Sequence, residues 1–309
     1  GERRERLPIR RIGLRLPGVF FEYGSHRFRE GRHQPGILLV RGLQTQRQFE
    51  FSEGLIEAPS ARAVAVEFGE RLGGIARQAL GYTGAGIGVA VVDSGIASWH
   101  DDLTAANGQR YPYGNQRVSR FVDFVNGQSQ PYDDHGHGTH VAGIILGNGY
   151  DSRGRQAGMA PDASLVSLKV LDAEGRGTIS HVIAALDWIA SNGAAHNIRV
   201  VNLSVGAAVT QSYWIDPLTL AAKRLAERGI LVVAAAGNLG RNADGEPQYG
   251  GILAPGNAPW VLTVGASTTN GTARRQDDAL ASFSSFGPTR GDYLAKPDMV
   301  APGHDILSL

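Results

Sequence analysis

A series of unbroken apolar runs constrains this chain more than any other feature: Ile87–Asp93, Ser164–Asp172, Arg199–Ser204, Ile230–Ala236 and Trp260–Ala266. A strand with one wet face alternates apolar and polar residues, whereas a run apolar throughout suits a strand covered on both faces, as in a parallel sheet. The segments between these runs carry helical punctuation. Ile179, Val182, Ile183, Leu186 and Ile189 recur at the spacing of one helix face from about Thr178. Asp216 is placed as an N-cap with Pro217 at the first helical position, and the helix is expected to end at Gly229. Strands alternating with helices imply an α/β fold, a doubly wound parallel sheet with helices on both faces. Ligands then gather beyond the carboxyl ends of the strands, where Asp93 and Asn238 fall.

Composition narrows the function classes. A length of 309 residues allows one large α/β domain and a smaller piece. A formal net charge of +1 gives no reason to expect a nucleic-acid or membrane partner, and no run of 18 apolar residues exists to span a bilayer. The absence of cysteine excludes a disulfide scaffold, a thiol nucleophile and zinc–thiolate sites, and leaves the compartment open. The chain opens GERRERLP without an initiator Met or an apolar signal region, so its native N-terminus is expected to have been removed. Residues 1–68 differ in texture from 69–309. They hold the cluster Arg3, Arg4, Arg6, Arg10, Arg11 and Arg15, and short apolar runs at Gly36–Val40 and Ala63–Phe68 that read as strands. The arginines read as a solvated surface ahead of a polyanion-binding arm, because Glu2, Glu5 and Glu30 interleave them.

Three segments carry groups able to do chemistry. Asp93 closes the strand in VAVVDSGI; a carboxylate there serves as a metal or ribose ligand or as a catalytic acid. Gly84, Gly86 and Gly88 precede that strand, whereas a dinucleotide-binding motif must follow one, so that reading is rejected. His135, His137 and His140 cluster in DHGHGTHVAG beside Asp133 and Asp134. Spacing of this kind can bind zinc, but Thr139 stands where an H-x-H-x-D-H metallohydrolase pattern needs its Asp. The preferred account seats His137 at the start of a helix over Thr139–Leu146, packed closely through Gly138, Ala142 and Gly143. That is a rigid place for a general base, and it leaves His135 and His140 structural. Asn238 ends LVVAAAGN; Gly237–Asn238 is either a turn or an oxyanion donor with small residues ahead of it to admit a substrate side chain.

In this order, VAVVDSGI, HGTHVAG and AAAGN, followed by ASFSSFGP (281–288) and KPDMVAPG (296–303), resemble the subtilases, the subtilisin-like serine proteases, over about 75–309. GIILGNGYDSRG (143–154), VSLKVLD (166–172) and SYWIDPL (212–218) look most like the AprX-type alkaline subtilases. The resemblance implies a subtilisin-like serine endopeptidase acting on polypeptides. In it Asp93 orients His137, His137 is general base and then general acid, and Asn238 supplies the oxyanion donor. It matches Gly175, Arg176 and Gly177, and Ser204, Val205 and Gly206, to the two segments that pair with extended substrate by β-augmentation. Arg176 departs from the small or polar residues usual there, which raises an acidic or polar preference. No cofactor is implied for the chemistry. Family members often hold a structural calcium, for which Asp102, Asn148 and Asp151 are candidates, although Asp and Asn in such a loop also form plain turns.

The family nucleophile lies in a GTSMA-type motif downstream of the APG turn, and Leu309 comes only six residues after Gly303 (309 − 303 = 6). The resemblance therefore implies that the attacking serine lies beyond residue 309 and that the fold is C-terminally incomplete. It also implies that residues 1–309 alone are inactive, marginally stable and prone to aggregate. Residues 1–68 occupy the usual place of a propeptide, the chain's own small chaperone and inhibitor, and the expected setting is extracellular rather than cytoplasmic. A pseudoprotease that binds peptides without cutting them, and a metallohydrolase, stand as the alternatives.

Overall fold

The computed structural model describes residues 82–105, 116–272 and 275–309, together with the backbone of 19–22 and 39–42. The chain divides into two compact units, Gly1–Ala58 and Pro59–Leu309. In the first, β1 (Val19–Glu22) pairs antiparallel with β2 (Leu39–Gly42), Val19 opposite Gly42. The run expected at Gly36–Val40 overlaps β2 only at its end. Ala63–Phe68, the arginine cluster and the boundary at residue 68 lie outside the described residues.

The second unit is built on an eight-stranded sheet. Its strands are β3 (Gly88–Asp93), β4 (Val118–Asp123), β5 (Ser164–Lys169), β6 (Ile198–Leu203), β7 (Leu231–Ala235), β8 (Leu262–Thr268), β9 (Ala279–Leu280) and β10 (Met299–Pro302). The order is β10-β8-β7-β6-β3-β5-β4; β9 pairs antiparallel with β8, and every other neighbouring pair is parallel. The apolar runs supply β3 and β5 to β8, the last displaced by two residues from the Trp260–Ala266 expected.

Because the pleat has a period of two, adjacent residues of one strand serve opposite layers. Val89 and Val91 join Leu165, Ala142 and Leu146 in one core. Ala90 and Val92 join Val166, Leu168, Val201, Leu203 and Val232 in the other. Helix α1 (His137–Leu146) covers the first face; α2 (Ile179–Asn192) and α3 (Pro217–Ala226) cover the second. The caps behave as their chemistry requires: Thr178 accepts from the His181 N–H, and Asp216 from those of Leu218 and Thr219. Helix α3 stops at Ala226, short of Gly229. The Ile230 N–H closes it onto Leu225 O, and Gly229 adopts a φ of +76° to let the chain turn.

This order places a topological switch at β3. The chain runs from β3 out to β4, returns through β5 on one side, and then resumes as β6 on the other. The crevice that opens where connections diverge is the expected ligand site of an open α/β sheet. Asp93 is the last residue of β3, at that point.

Candidate active site

Asp93 is 1% exposed, and its Oδ1 accepts hydrogen bonds from the Ser94 N–H at 2.7 Å and from His137 Nδ1 at 2.7 Å. Its Oδ2 is buried without a partner. The His137 ring is thereby held with Nδ1 toward the acid, which leaves Nε2 as the nitrogen able to exchange a proton with a substrate or nucleophile. The bond to Asp93 is the chief reason His137 titrates above its ordinary 6.5. Burial pulls it down, and the charges of Asp93 and Asp133 add to the rise. At 42% side-chain exposure the imidazole is open to the crevice.

The first turn of α1 is locked to the end of β3. A Cβ on Gly138 would lie 2.3 Å from Gly95 O, so this close approach requires glycine. Ser94 Oγ accepts from the Gly138 N–H at 2.9 Å and donates to Asp133 Oδ1 at 2.8 Å. Asp133 also accepts from the Gly136 N–H and from the Thr139 N–H and hydroxyl, and so acts as the anionic cap of the helix. Burial pushes the Asp133 carboxyl up, but these bonds outweigh it and hold the group below its ordinary 3.8. The role of Asp133 was invisible to motif reading, which treated it only as a possible metal neighbour of the histidines.

Those histidines do not converge. His137 faces Asp93, and His140 Nε2 bonds Ile306 O at 3.1 Å. The His135 ring lies edge-on to that of His137 with centroids 6.2 Å apart. Among the described residues, the one group of three or more potential ligands whose donor atoms lie together is His100, Asp102 and Asp151. Asn148, expected with the last two, donates its amide N–H to Thr104 O at 2.9 Å, and its oxygen accepts from the Tyr150 N–H. His100, which no motif singled out, stands beside the two carboxylates, its Nδ1 accepting from the Asp102 N–H at 3.2 Å.

Asn238 is exposed just past β7, two strands from β3. Strand spacing sets that offset at roughly 10 Å. Gly237 before it has a φ of +108° and no room for a side chain, since a Cβ would meet Leu253 at 2.8 Å. Buried Ser285 grips the loop on both sides of Asn238: its N–H donates to Gly237 O, and its hydroxyl accepts from the Leu239 N–H.

Ser204, Val205 and Gly206 follow β6, between β3 and β7, and Ser204 Oγ accepts from Asn202. Gly175, Arg176 and Gly177 lie on the other side, beyond β5. Both backbone groups of Arg176 turn inward to Asp172, its N–H to the carboxylate and its C=O to the Asp172 N–H. Gly175 packs beneath His135, whose Nε2 lies 2.7 Å from where a Cβ would be. Ser308 Oγ donates to His140 O at 2.7 Å.

The family model described as "Subtilase family" matches residues 84–309. The chain belongs to the subtilase family. It is 39% identical to serine protease AprX of Bacillus subtilis over 232 residues, 74% of this chain and 48% of that protein. It is 34% identical to subtilisin DY of Bacillus licheniformis over 231 residues, 75% of this chain and 69% of that one. This subtilase thus spans about half the length of AprX. Among solved structures, a psychrophilic protease shares 32% identity at a TM-score of 0.58, covering 73% of this chain and 69% of its own. A cold-adapted subtilisin-like serine proteinase shares 30% at 0.54, covering 74% and 66%. The α/β fold with its largely parallel sheet is that of the subtilisins. No helix among the described residues is long and apolar enough to cross a membrane.

Proposed function

We propose that this subtilase is a serine endopeptidase whose acid–base pair is Asp93 and His137 and whose nucleophile is a serine in sequence following Leu309. The observation that carries this is the 2.7 Å bond between a buried carboxylate and an exposed imidazole at the switch point of the sheet. In acyl transfer His137 Nε2 takes the proton of the attacking hydroxyl, and the imidazolium so formed is stabilised by Asp93 without proton transfer to it. Asn238 donates to the oxygen on which negative charge develops. His137 then returns the proton to the leaving amine. Ser308 does not serve as nucleophile in this reading, because its hydroxyl is held on His140 O.

The substrate is an extended polypeptide lying between Gly175–Gly177 and Ser204–Gly206. Peptide groups alternate in direction along an extended segment. With both backbone groups of Arg176 and the Gly175 N–H bonded inward to Asp172, the Gly175 C=O and the backbone of Gly177 are the groups proposed to meet the substrate. The unit Gly1–Ala58, with its β1–β2 pair, is proposed as the chain's own propeptide, acting as inhibitor.

Subtilases need no cofactor for hydrolysis. For a structural calcium, the loop charge fits in part: burial and the nearby Asp151 carboxylate push Asp102 above its ordinary 3.8, a deficit of positive charge that a hard cation relieves. Asp102 and Asp151 would hold it, and its role would be to stabilise the fold.

The test is to express 1–309 beside a polypeptide extended through the serine-bearing segment, and to assay both on casein and with a fluorophosphonate probe. Hydrolysis and labelling are expected in the longer protein alone. Labelling of the shorter chain would overturn the placement of the nucleophile. An inert longer protein that still binds peptides would make it a pseudoprotease.

A further inference from the structure

Among the described residues Lys169 is the largest side chain buried completely, at 0% exposure, at the end of the otherwise apolar and hydroxylic strand Ser164–Lys169. An ammonium ion in such a place is tolerated only when each of its three donors is used. They are: Nζ donates to Ser94 O at 2.6 Å, to Leu171 O at 2.7 Å and to Asp134 Oδ1 at 2.5 Å, with the Tyr132 ring centroid 4.8 Å away. Each partner belongs to a different functional segment. Ser94 follows Asp93, which lies directly opposite Lys169 in the β3–β5 ladder. Asp134 stands three residues before His137, and Leu171 leads into Gly175–Gly177.

Stability alone does not account for this arrangement. Replacing a buried ion pair with apolar side chains of similar volume is often neutral or stabilising. Asp134, at 34% side-chain exposure, also has water available as an alternative partner. We propose that the Lys169–Asp134 ion pair is a positioning device for peptide hydrolysis, holding the loop that carries His137 at a fixed distance from the strand that carries Asp93. The proposal rests on the triad reading above. Lys169 touches neither substrate nor reacting atoms; it acts through the loop.

The experiment uses the serine-bearing polypeptide and a chromogenic peptide substrate. Asp134→Ala is expected to lower kcat by about 10-fold with KM changed less than about 2-fold, because small misplacements of a catalytic group act on the transition state. Its Tm is expected to fall as well, because Lys169 is left buried without its anionic partner, so rates are read well below Tm and the split between kcat and KM carries the test. Asp134→Asn, whose amide oxygen still accepts from Lys169, should restore most of the loss. Lys169→Met should lose at least as much as Asp134→Ala, and the double variant no more than Lys169→Met alone, since the two residues form one coupled unit. Wild-type kcat in Asp134→Ala, no rescue by Asn, or losses that multiply in the double variant would each overturn the proposal. Asp134→Ala keeps it testable if Lys169→Met does not fold. Asp93→Asn is run beside them: full activity there would sink the triad reading itself, independently of the ion pair.

Discussion

Exchanging Asp93 for asparagine removes a charge while keeping the shape of the side chain, and the structure fixes what should follow. Asp93 Oδ1 is the acceptor that holds the proton on His137 Nδ1. An asparagine amide can instead donate to Nδ1, which moves the ring proton to Nε2 and leaves no lone pair to accept from the nucleophile. The expected loss in kcat/KM is about 10³–10⁴, equivalent to roughly 4–5.5 kcal/mol of transition-state stabilisation. The pH profile supplies an independent check. In the wild type the Asp93 bond and charge raise His137 above 6.5 against the opposing effect of burial, so the acidic limb of kcat/KM should lie above 6.5. Without Asp93, burial outweighs the remaining contribution of Asp133, and the limb should move to the acid side of 6.5. Initial rates from pH 5 to 9 on a peptide nitroanilide give the limb. ¹⁵N NMR of His137 in the 309-residue chain gives the same titration without need of a nucleophile. An Asp93→Asn enzyme that retains more than a tenth of wild-type activity, or whose limb stays in place, would refute the reasoning.

The folded-state value of His137 is raised, so its protonation stabilises the fold fully below pH 6.5, and that increment is lost as pH rises through the folded value. His137→Ala should therefore cost more stability at pH 5.5 than at pH 9 in urea titrations; equal costs would contradict the linkage. At pH 9 it should still cost about 1–2 kcal/mol, because the buried carboxylate of Asp93 keeps only the Ser94 N–H. Asn238→Ala should lower kcat by about 10²–10³ with KM nearly unchanged, since the donor acts on charge present only in the transition state; an effect confined to KM would reduce Gly237–Asn238 to a turn. Millimolar calcium should raise Tm and chelation should lower it, with Asp102→Asn abolishing the difference. A Tm indifferent to calcium would dismiss the cation site.

Much of the fold could be read from sequence because local signals and tertiary demands agree there. Val89–Val92 is apolar at every position, since β3 is covered on both faces by different layers. Thr178 and Asp216 announce their helices because capping is satisfied within a few residues. Strand β4 escaped notice for the opposite reason: it ends the sheet order, and Ser119 and Arg120 are exposed, so Val118–Asp123 shows no continuous apolar run. The acidic loop around Asp102 was only partly legible. Asp102 and Asp151 were read together and their carboxylates do lie close, but His100 joins them from outside any motif, and spacing carries no information about such an approach.

The site divides along the same line. Asp93 and His137 stand at element ends in recognisable strings and meet in the structure, while Asn238, proposed to act with them, follows β7 two strands away. The groups that hold those residues in place do not form strings. Ser94 and Asp133 are separated by 39 residues, Lys169 and Asp134 by 35, and Leu239 and Ser285 by 46. In one dimension Lys169 looks like a lone charge interrupting a strand, and such a lysine would ordinarily be assigned to solvent. Its burial becomes intelligible only once β3 and β5 lie in register and bring the carbonyl of Ser94 within 2.6 Å. A buried charge has no tolerable alternative geometry once its partners are removed, whereas an apolar residue can repack. The polar contacts around Asp93 are therefore the ones able to fix its distance to His137, and they are the contacts that the linear sequence conceals most completely.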